Sequence, residues 1–167
     1  MTLVKKILPW LLTLFIAFVF VQSLAFKFTG APEPVYIFKT IESWAQTSLG
    51  ISGLFAPGGV FSQQIVGVAE LIASLLLLVG AALGGLKSQG HAAKTLFAKI
   101  HAAGALLALG VISGAIFFHL FTPLGIIVGS EADQIASDGG SLFIMAVLVW
   151  ISSAILLFLH RDLIKSR

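Results

Sequence analysis

The chain has 167 residues, of which 58% are hydrophobic and only 10% charged, and its mean hydropathy is +1.06. About a quarter of the residues of a soluble domain are charged, so this composition excludes a soluble globular protein and predicts an integral membrane protein. Each crossing of roughly 30 Å of hydrocarbon takes about 20 helical residues, which leaves room for one bundle and predicts a single membrane domain over residues 1–167. The formal charge of +3 does not indicate nucleic-acid binding, because the basic residues lie between apolar stretches.

Four apolar runs predict four transmembrane helices, at about residues 7–28, 64–86, 100–121 and 142–160. The predicted fold class is therefore all-α, a four-transmembrane-helix bundle. The first run shares two features with a secretory signal peptide, namely a preceding lysine pair and the small residues Ser23 and Ala25 spaced by one. Its mainly apolar stretch is longer than the usual core of a signal peptide, which favours a membrane span.

The distribution of basic residues predicts the orientation of the spans. Eight of the ten lysines and arginines flank the runs on one side: Lys5, Lys6, Lys87, Lys94, Lys99, Arg161, Lys165 and Arg167. Cytoplasmic loops carry such an excess, so both termini are predicted to be cytoplasmic, with two loops on the outer face. We expect a multi-pass protein of a prokaryotic cytoplasmic (inner) membrane, with the lipid bilayer as its first partner.

Helix-breaking and capping residues support these boundaries. Pro9 is expected in the first turn of its helix, Pro123 is expected to end the third span, and Asp138 is expected to cap the fourth. Between the first two spans, apolar residues at helical spacing predict a short amphipathic helix over about 34–47, lying flat on the outer membrane surface. A loop with scattered apolar residues is the alternative.

Glu70 is the single acidic residue inside the second apolar run. An ionised carboxylate is costly there unless a partner or a proton compensates, so Glu70 is the leading candidate for function. It shares one helix face with Gln63, Gly67 and Ser74, while the third span carries a comparable stripe from His101 to His119. Both stripes are expected to point into the bundle.

Depth along the helices predicts an outward-facing polar pocket near Glu70. Its candidate ligand-binding or proton-relay residues are Glu70, Lys27, His119, Gln22, Gln63 and Ser74. Two alternatives stay open. In the first, Glu70 has only a structural role and joins the helices either as a protonated acid or as the ion-pair partner of Lys27. In the second, His119 is an ordinary histidine at the end of its helix and belongs to no site.

Other patterns concern packing and chemistry. The pairs Gly80/Gly84 and Gly110/Gly114 predict close approach of helices, within the chain, in self-association or with other membrane subunits.

His101 and His160 are expected at the inner interface, where a haem held between them is the alternative. The chain contains no cysteine, which excludes thiol chemistry, and no spacing predicts a metal site. No phosphate-binding loop or serine nucleophile motif is present.

Three segments carry a resemblance to a known family. Residues 26–33 (FKFTGAPE), 67–71 (GVAEL) and 118–125 (FHLFTPLG), followed by Asp138-Gly139-Gly140, resemble the DoxX family of small four-helix membrane proteins. In that family a lysine after the first span and a glutamate in the second recur, and these match Lys27 and Glu70. The resemblance implies membership of a membrane-associated, in some cases redox, complex. Because fold analogy does not transfer a reaction, any electron transfer would need a bound quinone or a partner's cofactor.

These observations predict an accessory or ligand-binding membrane subunit, not an enzyme on its own, whose outer pocket binds a quinone-like or lipid-like molecule or docks a partner. The alternative is a quinone-coupled oxidoreductase subunit that relays protons through Glu70 and His119. Transport of a small solute is a third interpretation, which the small number of helices disfavours.

Overall fold

The computed structural model describes residues 3–85 and 90–161, and it is helical apart from its connections. Its helices are α1 (Leu3–Thr29), α2 (Pro32–Trp44), α3 (Gln63–Gly84), α4 (His91–Phe121) and α5 (Ser141–Leu159). A five-residue π-helical turn, Ala45–Leu49, continues α2. Four of these helices are long and apolar enough to cross a membrane, which confirms the all-α, four-span prediction and fits a multi-pass membrane protein.

The helix boundaries agree with the predicted runs except at the starts of α1 and α4. The first helix begins at Leu3, so Pro9 lies inside it and the expectation that Pro9 occupies the first turn is wrong. The α4 helix begins at His91 instead of near residue 100, because the segment after it is rich in alanine, lysine and leucine, which favour helix. At the other end Thr122 has extended backbone angles before Pro123, which ends α4 as predicted.

The four long helices form a closed ring in the order α1, α3, α4, α5. The most extensive contacts join α3 to α4, followed by α1 to α3 and α4 to α5, and α5 returns to contact α1. Contacts across the α3–α4 seam pair Gly80 with His101 and Leu77 with Gly104, so these two helices are antiparallel. We call the end with α2 and residues 122–140 the loop end, and the end with residues 85 and 90, where α5 finishes, the terminus end.

Most side chains in the interior of the ring are small or apolar. The buried core consists of Ile16, Phe20, Ala73, Leu77, Ala105, Ala108, Ile112, Ala146, Val149 and Leu156. The opposite faces are also apolar and are exposed, as on α1, where Leu11, Leu14 and Phe18 are 52–63% exposed. An outer surface of this kind suits contact with lipid, since large exposed apolar surfaces are rare on soluble monomers.

One of the two predicted glycine pairs lies at a close helix contact. A Cβ atom on Gly80 would lie 2.6 Å from the backbone nitrogen of His101, so α3 and α4 approach too closely there for any side chain. Gly104, which the sequence analysis did not single out, has the same function one turn away. By contrast, a Cβ on Gly110 or Gly114 would meet no described atom within 4 Å, so close approach within the chain is wrong for this pair.

The predicted helix between the first two spans is present as α2. Its residue Ile41 is buried with Leu124 and Val128 in a second apolar cluster, against which Ile37 and Phe118 pack. Part of its apolar face therefore contacts the protein itself. Its position flat on a membrane surface stays a prediction.

Candidate functional site

A buried ion pair joins α1 to α3 in the half of the bundle nearer the loop end. Lys27 Nζ lies 2.6 Å from Glu70 Oε1, and the two side chains are only 11% and 6% exposed. Lys27 Nζ also donates a hydrogen bond of 2.8 Å to Ser23 Oγ, a partner that the sequence analysis did not propose. The contact between Lys27 and Glu70 that the sequence predicts is therefore present.

Local packing explains why these two charges meet. Gly67 lies one turn before Glu70, and a Cβ there would come within 2.9 Å of the Phe28 ring, so α1 lies close against α3 at this level. Gln63, the first residue of α3, donates a hydrogen bond of 2.5 Å to the carbonyl oxygen of Lys27. These two contacts hold the end of α1 against the start of α3, and the lysine side chain lies across the contact.

The ion pair leaves some hydrogen-bonding capacity unused. Glu70 Oε2 is buried and has no hydrogen-bond partner among the described residues. A lysine ammonium has three N–H donors, and the described contacts of Lys27 Nζ account for two of them. The arrangement therefore offers one buried acceptor and one donor side by side, in surroundings where an unmet carboxylate oxygen is costly.

The remaining predicted pocket residues divide into those near the pair and those elsewhere. Ser74 is buried next to Glu70 on α3, but its hydroxyl donates to the Glu70 backbone carbonyl at 2.9 Å and so serves its own helix. Gln22 is exposed on the outer side of α1. Its expected place inside the pocket is wrong, because the depth estimate gives the level of a residue along the helix and not the face on which its side chain lies.

His119 is buried as predicted, but its contacts are with the loop end. Its Nδ1 lies 2.7 Å from the carbonyl oxygen of Gly125, to which it donates, and its ring packs edge-on against Phe143 at 5.6 Å. These contacts fit the helix-end alternative for His119. None of its described partners connects it to Glu70.

Asp138 organises the turn before α5, as predicted for a cap residue. Its carboxylate accepts hydrogen bonds from the backbone N–H groups of Val128, Gly140 and Leu142 at 2.7–2.9 Å. Partial burial tends to raise the pKa of Asp138, but these backbone donors outweigh it and hold the pKa below its ordinary value. The charged form is thus the one that the fold stabilises.

Glu42 has a related function that the sequence analysis missed. Its two carboxylate oxygens accept hydrogen bonds from the backbone N–H groups of Gly53 and Phe55 at 2.5 and 2.9 Å, which attaches the loop after α2 to that helix. These backbone hydrogen bonds, Gly53 first, lower the pKa of Glu42. No sequence pattern gave this contact, since the carboxylate and its donors are 11 and 13 residues apart.

A second polar constellation lies at the terminus end, where the sequence places His101 and His160 together; its hydrogen bonds do not follow from the sequence. Thr13 Oγ1 lies 2.7 Å from His101 Nε2, and His101 Nδ1 lies 2.7 Å from His160 Nε2. The three residues come from α1, α4 and the residue that follows α5, and they form one continuous hydrogen-bonded chain. Burial lowers the pKa of His160, so burial favours its neutral form.

A groove and a cavity in the described part of the chain both lie away from the ion pair, and neither is lined by Lys27 or Glu70. A groove of about 260 Å³ at the loop end is lined by Tyr36, Lys39, Thr40, Ser43, Trp44, Thr47, Pro123 and Asp133. A cavity of about 190 Å³ at the terminus end is lined by Pro9, Trp10, Gly80, Ala81, Gly84, Gly85, Lys94, Ala98, His101 and His160. Within residues 3–85 and 90–161, no cluster of three or more potential metal ligands occurs.

In comparisons with known proteins, no family model, no curated protein and no solved structure matches the chain. The fold is a bundle of four helices that are long and apolar enough to span a membrane, with a buried ion pair between two of them. The resemblance to DoxX proteins rests on the short sequence segments alone.

Proposed function

We propose that the chain is a DoxX-like accessory subunit of a membrane-associated complex, and that the Lys27–Glu70 pair forms the polar end of a ligand site. The observation that carries this proposal is the burial of a lysine and a glutamate between two membrane helices, with one carboxylate oxygen unpartnered among the described residues. Ionisable residues inside a membrane are expensive, and they commonly mark a binding or ion pathway.

The chemistry of the pair defines the kind of ligand. A free acceptor on Glu70 and a free donor on Lys27 suit a headgroup that carries both a hydroxyl and a carbonyl or ether oxygen. A quinol headgroup and a lipid headgroup that carries a hydroxyl both meet this description, and their apolar tails suit the exposed faces of α1 and α3. An oxidised quinone has no hydroxyl, so its carbonyl oxygen could accept from Lys27 but could donate nothing to Glu70.

The proton-relay alternative receives less support. A relay from Glu70 to His119 needs a continuous path between them, yet the described contacts of His119 are with Gly125 and Phe143. Because Nδ1 of His119 donates to Gly125, only Nε2 of this ring could take part in a relay, and no described contact joins it to Glu70. We therefore place ligand binding first and quinone-coupled proton transfer second.

The test compares neutral variants of the pair with variants of exposed residues of the same type. Lys27→Met and Glu70→Gln are matched with Lys39→Met and Glu131→Gln, whose parent side chains are exposed. Native mass spectrometry of gently solubilised protein records both bound small molecules and bound proteins. We expect the first two variants to lose most of the co-purifying ligand or partner, and the two controls to retain it.

Stability provides the second readout of the same experiment. Removing one partner of a buried ion pair costs about 3–5 kcal/mol, whereas replacing both by neutral residues costs much less. The double variant Lys27→Met/Glu70→Gln is therefore expected to melt close to the wild type while still lacking the ligand. If it keeps the wild-type complement of ligand and partner, the pair is structural glue and the proposed site is wrong.

A further inference from the structure

The cavity at the terminus end differs from the proposed site in location and in chemistry. It lies where α3 ends at Gly84, α5 ends at Leu159 and α4 has just begun, so it lies at the level of the helix ends. Helices that span a bilayer have their ends in the headgroup region. A cavity at this level is open to lipid headgroups and to the aqueous phase beside them.

The lining of the cavity combines positive charge with apolar walls. Lys94 is exposed and supplies the cation, while Trp10, 39% exposed, supplies an amphipathic ring of the kind enriched at membrane interfaces. Among the described residues that line it, none is acidic. A cavity with these walls complements an anion attached to an apolar tail.

The hydrogen-bonded chain of Thr13, His101 and His160 supplies a second polar group. If the Thr13 hydroxyl donates to His101 Nε2, neutral His101 carries its proton on Nδ1 and donates it to His160 Nε2. His160 then carries its own proton on Nδ1, the ring nitrogen that has no partner among the described residues. In the reverse arrangement of protons, Nδ1 of neutral His160 is an acceptor. An anion in the cavity therefore favours the first arrangement, because only that arrangement offers it an N–H donor on His160.

Glycine residues in the wall leave room for the cavity. Gly80, Gly84 and Gly85 form part of its wall, and the lack of a side chain on Gly80 lets the backbone of His101 lie directly against α3. The volume of about 190 Å³ is several times the roughly 30 Å³ that one water molecule occupies in the liquid. The cavity is therefore large enough for a phosphate group and the atoms next to it.

From these observations we infer that the cavity at the terminus end binds the phosphate of an anionic phospholipid headgroup, with Lys94 and His160 as its ligands. Basic pockets between membrane helices on the cytoplasmic side are a known type of site for acidic lipids. Eight of the ten basic residues of the chain are predicted on this side of the membrane. The site is independent of the Lys27–Glu70 pair, which lies towards the other end of α1.

The experiment measures binding of phosphatidylglycerol and of phosphatidylcholine to the purified full-length protein by native mass spectrometry in detergent. We expect a preference for phosphatidylglycerol that falls about fivefold in Lys94→Gln, the effect of one basic residue near an anionic headgroup. Lys99→Gln is the matched control, since Lys99 is an exposed lysine of the same helix outside the cavity lining. It is expected to leave the preference unchanged.

Two further variants separate a built site from general surface charge. Ala98→Phe fills the cavity without altering charge, and His160→Phe removes the imidazole donor while keeping an aromatic ring. Both are expected to weaken phosphatidylglycerol binding, and circular dichroism confirms that each variant folds. Equal effects of Lys94→Gln and Lys99→Gln, or no preference between the two lipids, would overturn the inference.

The source of the phosphate is decided by competition. Inorganic phosphate at millimolar concentration is added to the lipid-bound protein, and sodium sulfate and sodium chloride at matched ionic strength serve as controls. Retention of phosphatidylglycerol in all three supports the lipid as the occupant. Selective displacement by inorganic phosphate shows that the site takes the free anion, which overturns the lipid assignment while keeping the ligand chemistry.

Discussion

At the scale of single residues, the carboxylates of this protein differ in what compensates their charge. Glu70 is paired with a lysine inside the bundle, whereas Asp138 and Glu42 lie at the loop end and accept hydrogen bonds from backbone N–H groups. A carboxylate that receives several backbone donors is stabilised in its charged form. The loops at this end therefore depend on the ionisation of two side chains.

This dependence predicts that acid destabilises the loop end through Asp138. The pKa of Asp138 in the folded protein lies below its ordinary value of 3.8. Its contribution to the free energy of unfolding is therefore fully present above about pH 3.8, and it is lost as the pH falls through the lowered pKa of the folded state. Asp138→Asn should cost about 1 kcal/mol at neutral pH, as for the loss of a helix cap, and should reduce the loss of stability in acid. Thermal unfolding in detergent between about pH 6 and pH 2 measures both effects.

Glu131→Gln is the control for this prediction, because Glu131 is an exposed carboxylate of the same loop. It is expected to unfold at the wild-type temperature at each pH. An Asp138→Asn variant with the same acid response as the wild type would show that the three backbone hydrogen bonds do not depend on the charge.

At the scale of helices, glycine matters where two backbones meet. Gly80 and Gly110 belong to the same kind of sequence pair, yet one faces the backbone of His101 and the other faces open space. Such pairs show which residues are small, but they do not show which face of the helix has a neighbour.

The two glycines therefore predict opposite effects of one substitution. Gly80→Ala places a methyl group 2.6 Å from the His101 nitrogen, so α3 and α4 must separate, and we expect a loss of about 1–3 kcal/mol. Gly110→Ala adds a methyl group in open space and removes the helix penalty of glycine, so a gain of up to about 1 kcal/mol is expected. Thermal unfolding followed by circular dichroism compares the two. Equal destabilisation would mean that Gly110 also faces a close neighbour, such as a second copy of the chain.

The same helices show how far the sequence determines the site. Periodicity correctly placed Glu70 and His119 on buried faces, and the depth estimate correctly brought Lys27 to Glu70. The depth estimate failed for Gln22, which is exposed, because depth gives the level of a residue along its helix and not the face on which its side chain lies. The contacts of His101 with Thr13 and His160 join residues 88 and 59 positions apart, and helical periodicity carries no information about which helices become neighbours.

At the scale of the whole molecule, the asymmetry of charge predicts which end faces the cytoplasm. The chain has no cysteine, so a single introduced cysteine reports on one position without interference. Ser52 and Ala92 are exposed at the loop end and the terminus end. With a membrane-impermeant maleimide, we expect Ser52→Cys to react in intact bacterial cells and Ala92→Cys to react only after permeabilisation.

The labelling experiment has a clear opposite outcome. Reaction of Ala92→Cys in intact cells, with protection of Ser52→Cys, would invert the topology and place the basic cavity on the outer face. The unsubstituted chain is the control for background labelling, and it is expected to stay unlabelled throughout.

The contact between α1 and α5 joins the first and the last of the described helices, so it forms late in synthesis. The ribosome delivers α1 before α5, so the ring of helices can close only after translation of α5 is complete. Until then the imidazole of His101 lacks its partner at residue 160, and the side of α1 that later meets α5 faces lipid or an insertion factor. A nascent chain interrupted before residue 141 would therefore present an open, partly polar bundle to the proteases that survey the membrane.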